Sequence, residues 1–66
     1  MLKVGDLVDV IVGQQYAKDN GYSSIAIITK IEHGHDQQHP FLHLVHTDGR
    51  TACVSAAIVK KLNVWH

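Results

Sequence analysis

The chain has 66 residues, 45% hydrophobic and 18% charged, with six basic and six acidic side chains that cancel. That length holds one domain, residues 1–66, and the balance excludes both a disordered, highly charged chain and a strongly basic nucleic-acid binder. The single cysteine, Cys53, excludes an internal disulfide and a four-cysteine zinc site.

No apolar run approaches the roughly 18–20 residues of a bilayer span. Met1-Leu2-Lys3 begins no signal-peptide core, so a cytoplasmic protein is expected. A domain of this size fills its core with difficulty and has little room for a deep catalytic pocket. The expectation from length is a protein that is not an enzyme.

Leu7 to Val12 is rich in β-branched residues and follows Gly5-Asp6, which predicts a strand after a turn. Gly13 to Ser24 is polar and contains Asn20-Gly21. It is expected to be a long loop with a tight turn at those two residues. Ile25 to Ile31 holds four isoleucines and a threonine, whose branched side chains disfavour a helix and predict the second strand.

Gly34 to Pro40 is a short polar loop. Phe41 to Thr47 then alternates, with Leu42, Leu44 and His46 on one face and Phe41, His43 and Val45 on the other. Asp48-Gly49 is a hairpin signal, and Arg50 to Ser55 is the fourth strand. Ala56 to Val59 suits a single 3₁₀ turn, and Lys60 to Trp65 a last short strand.

The register of this hairpin follows from its apolar face. A two-residue turn would set Leu44 opposite Cys53 and send Ala52 and Val54 to the other side. A three-residue turn with Gly49 left-handed pairs His46 with Arg50, Leu44 with Ala52, and Leu42 with Val54. The second arrangement gathers the better apolar face and is preferred. It puts Cys53 beside His43 on the outer face.

This order of elements is that of an SH3-like barrel: five short strands, a long first loop, an Asp-Gly hairpin and one helical turn before the last strand. Leu42 to Leu62 looks like the back half of that fold. With Val4-Gly5-Asp6-Leu7-Val8 it resembles the small SH3-like proteins of bacteriophages and bacteria. The resemblance implies an all-β, five-stranded small barrel and a small phage-encoded accessory or host-interaction protein. Its place of action would be the host cytoplasm or the virion. A five-stranded barrel of the OB type is the alternative.

Specialised relatives do not transfer. Proline-peptide-binding SH3 domains have an acidic first loop and a tryptophan opening the third strand, where this chain has one acid, Asp19, and Phe41-Leu42. Methyl-lysine cages need three or four clustered aromatics. Only Tyr16, Tyr22, Phe41 and Trp65 are present. Ribosome and transcription modules of the KOW type favour a glycine where this chain has Ala26, and their RNA-binding surfaces are basic.

Four groups of side chains invite a functional reading. Tyr16 and Tyr22 lie in the loop where SH3-like barrels place their ligand surface, and aromatics there stack on a partner. Trp65 would cap the barrel or anchor a second copy. His33, His35 and His39 form a histidine-rich loop whose imidazoles can contact a partner.

The same three would suit Zn²⁺ or another divalent transition metal if they converged, although their spacing matches no established zinc signature. Cys53 beside His43 would need an orienting carboxylate and an oxyanion hole to act as a nucleophile, and the sequence identifies neither. The reading is therefore a cofactor-free protein-interaction module contacting a protein partner through Tyr16, Tyr22, His33, His35, His39 and Trp65. The alternative is a small metal- or nucleic-acid-binding protein using the histidine loop.

Overall fold

Apolar residues on alternating positions of four segments meet in one interior. In the computed structural model, which describes residues 2–35 and 38–62, five strands form one antiparallel sheet. They are β1 (Leu7–Val10), β2 (Ile25–Glu32), β3 (Phe41–His46), β4 (Thr51–Ser55) and β5 (Val59–Lys61). A helix, α1 (Gln14–Asp19), lies between β1 and β2, and a 3₁₀ turn (Ala56–Ile58) precedes β5. Among the described residues no helix is long and apolar enough to cross a membrane.

The strand order is β4-β3-β2-β1-β5. Among the described residues no ladder joins β4 to β5, so the sheet stays open. The expected all-β architecture with a 3₁₀ turn is present; closure into a barrel is not. Some strand bounds differ from expectation: β1 ends at Val10 rather than Val12, and β4 starts at Thr51 rather than Arg50.

Val8, Ala26, Ile28, Leu42 and Leu44 make the core, with Leu2, Val10, Ile31, Val54, Ala56 and Val59 packed against it. The β3–β4 register is that of the three-residue turn: Leu44 opposes Ala52, Leu42 opposes Val54, and His43 opposes Cys53. The His46 amide donates to the Arg50 carbonyl at 2.7 Å, and Gly49 takes φ +94°. Without a Cβ, glycine adopts that conformation freely.

β2 carries a bulge. Ile28 pairs with Leu44 and Lys30 with His43, so Thr29 is the extra residue. Thr29 and Lys30 are both exposed, while Ile28 and Ile31, three positions apart, both turn inward. Strict alternation would have sent one of them to solvent. The bulge restores a common inner face.

The largest departure from expectation is α1. Tyr22 N–H donates to the Ala17 carbonyl at 2.7 Å and Gly21 N–H to the Lys18 carbonyl at 3.3 Å, with Gly21 at φ +73°. These two bonds form a Schellman motif. Asn20-Gly21 is thus a helix stop rather than a tight turn in a loop. Inside the helix, Gln15 Nε2 donates to Asp19 Oδ1 at 2.8 Å, one turn apart, and Ala17 is the residue it buries.

Candidate functional site

Two segments distant in sequence converge beside α1. Ser23, which follows the helix, meets Asp48 and Arg50 of the β3–β4 hairpin. The Asp48 carboxylate accepts from Ser23 N–H at 3.0 Å, from Arg50 N–H at 3.1 Å and from Arg50 Nε at 2.9 Å. These bonds, led by the Ser23 amide, favour the charged form and hold the Asp48 carboxyl down at about 2 from an ordinary 3.8.

Arg50 completes the junction. Its Nη2 donates to the Ser23 carbonyl at 2.8 Å, and its guanidinium carbon sits 4.3 Å from the centre of the Tyr22 ring. That is a cation–π contact. The rings of Tyr16 and Tyr22 are 6.3 Å apart and tilted by 43°. Thr47 Oγ1 adds a 2.7 Å hydrogen bond to Ser23 Oγ. Tyr16, on the helix, remains 66% exposed.

Beside this junction lies a pocket of ≈ 210 Å³ between α1 and the inner faces of β3 and β4. Val10, Val12, Ala17, Ala52 and Val54 supply apolar walls, and Tyr16, Ser23, Arg50 and His46 the polar ones. His46 is 8% exposed, and its Nδ1 is buried with no hydrogen-bond partner among the described residues. Sequence reading placed His46 on the inner face but did not associate it with Tyr16, which lines the same pocket from the helix. Arg50 was missed as well: one scattered cation in a neutral chain carries no signal of its own.

The histidine loop lies elsewhere. Tyr22 precedes the start of β2 and His33 follows its end. Eight strand residues at roughly 3.3 Å each separate the two by about 25 Å. The tyrosines and the histidines therefore lie toward opposite ends of β2. His33, His35 and His39 are exposed, and His33 lines an apolar recess of ≈ 300 Å³ with Leu2, Ile31, Pro40 and Ala56. Among the described residues no group of three or more His, Cys, Asp or Glu is placed to hold a metal ion. Trp65 lies outside the described residues, as does Asp36 of the histidine loop.

On the outer face, Glu32 Oε1 and His43 Nε2 are 2.6 Å apart, with Lys30 Nζ 3.3 Å from the same oxygen. The hydrogen bond from His43, then that from Lys30, lowers the Glu32 pKa below its ordinary 4.5. The structure thus places a carboxylate against the imidazole opposite Cys53, a group the sequence did not identify. Cys53, free and exposed, is the cross-strand partner of His43.

Compared with known proteins, the chain matches no family model, no curated protein and no solved structure.

Proposed function

We propose that the protein is a non-enzymatic interaction module of SH3-like design that grips a protein partner at the pocket between α1 and the β3–β4 hairpin. The SH3-like reading is supported by the strand order, the Asp-Gly hairpin and the 3₁₀ turn before β5. One observation carries the binding reading: a pocket with apolar walls is lined by exposed Tyr16 and by His46, whose buried Nδ1 has no hydrogen-bond partner among the described residues.

Pockets that bind a side chain combine apolar walls with a few polar groups that fix orientation. Aromatics with low rotamer entropy at the rim are typical anchors. Arg50 is held by Ser23 and Asp48 and covers the Tyr22 ring, so this part of the rim is ordered before a partner arrives. Such preorganisation reduces the entropy that association costs.

The test combines affinity capture from the cell of origin with nuclear magnetic resonance titration of the recovered partner. Shifts should concentrate at Tyr16, Tyr22, Ser23, His46 and Arg50. Tyr16→Ala should abolish capture while leaving the melting temperature unchanged, since the ring is largely exposed. Shifts confined to the His33–His39 end would overturn the assignment.

A further inference from the structure

The two edges of the sheet are built differently. At one edge, β5 reads Val59-Lys60-Lys61, and charged side chains of this kind deter the addition of another strand. At the other edge, β4 reads Thr51-Ala52-Cys53-Val54-Ser55, with no charge and no proline, and its register with β3 is free of bulges. The adjoining β3, Phe41–His46, also contains no Asp, Glu, Lys or Arg.

The hydrogen-bond phase shows which main-chain groups of β4 look outward. His46 N–H donates to the Arg50 carbonyl, so His46 and Arg50 are a hydrogen-bonded pair. Bonded pairs recur at every second residue of an antiparallel ladder. Ala52 and Val54 therefore bond to β3, while Thr51 and Cys53 direct their N–H and C=O groups away from the sheet. Among the described residues no main-chain partner meets them, and both residues are exposed.

We propose that β4 is an interface with a second copy of this chain, the two β4 strands pairing antiparallel about a two-fold axis through Cys53. A two-fold contact must be self-complementary, and this segment is. Thr51 of one copy faces Ser55 of the other, hydroxyl to hydroxyl. Ala52 faces Val54, apolar to apolar, and Cys53 faces Cys53. No like charges are brought together.

Exposed Ile27 and Val45 pair with each other, and Val45 with Thr51, so an apolar row on the outer face runs toward the edge. A short chain without a disulfide gains from such association. The interface adjoins the pocket beside α1, which Ala52 and Val54 of β4 also line.

Sedimentation velocity in the presence of reductant tests the proposal, with circular dichroism to check folding. Wild type and Cys53→Ser should both sediment as dimers. Cys53→Lys, which places two ammonium groups at the axis on exposed positions, should be a folded monomer. In wild type, amide exchange at Thr51 and Cys53 should slow as protein concentration rises. A wild-type monomer throughout the micromolar to millimolar range, or a dimer that Cys53→Lys leaves intact, would overturn it. Should Cys53→Lys fail to fold, exchange at those two amides that is fast at every concentration rejects the interface.

Discussion

The Asp48 carboxylate takes a 3.0 Å hydrogen bond from the Ser23 amide, 25 residues away, and so ties the β3–β4 hairpin to the segment that follows α1. This bond, with those from Arg50, keeps Asp48 ionised down to about pH 2. A carboxyl whose folded pKa is depressed stabilises the fold at pH values above its unfolded pKa. That contribution is whole above 3.8 and is lost as pH falls through about 2. Thermal unfolding followed from pH 5 to pH 2 should show the loss, and Asp48→Asn should flatten that part of the profile. A wild-type melting temperature constant over this range would refute the linkage.

Core truncation should separate the two faces of β3. Leu42 is 0% exposed and its neighbour Phe41 39% exposed. Leu42→Ala removes fully buried methyl groups and should cost about 2–5 kcal/mol. Phe41→Ala, on the outer face, should cost less than half as much. Urea unfolding of the two variants gives the comparison, and equal losses would mean that the alternation of faces is wrong.

Gly49 presents a purely conformational test. A Cβ there would meet nothing within 4 Å, but φ is +94°. Gly49→Ala should therefore destabilise by about 1–2 kcal/mol through backbone strain alone. Gly49→Asn should cost less, because asparagine tolerates left-handed backbone better. If alanine at this position is neutral in chemical denaturation, the three-residue turn is not what holds the register.

His46 couples stability to binding. A buried polar atom without a partner costs roughly 1–3 kcal/mol. His46→Leu removes that group and should raise the melting temperature. The same change should weaken partner binding at the α1 pocket, since it takes away one of its polar lining groups. A variant that melts lower than wild type would indicate that the imidazole is satisfied in solution.

Much of the fold was legible in local patterns. The β-branched runs of β1 and β2, the alternation of β3 and the Asp48-Gly49 turn each act over a few residues, and the hairpin register followed from which slip gathers Leu42, Leu44, Ala52 and Val54 on one face. The helix α1 was less legible. Gly13-Gln14-Gln15-Tyr16 offers no side-chain cap and a weak apolar stripe, and Asn20-Gly21 serves equally well as a turn or as a helix stop. In the structure Tyr22 and Gly21 donate back to Ala17 and Lys18, which makes it the stop of a helix that buries Ala17.

Long-range placement was the work of tertiary structure. The amino-acid order determined which residues face inward and where the chain reverses, because those preferences are set by backbone sterics and side-chain period. It did not determine that Arg50 covers Tyr22, that Glu32 meets His43, that β4 and β5 stay unpaired, or that the tyrosines and histidines end up at opposite ends of β2. Those relationships depend on how strands stack and twist in three dimensions, and contacts between residues some 25 positions apart leave no periodic trace in the sequence.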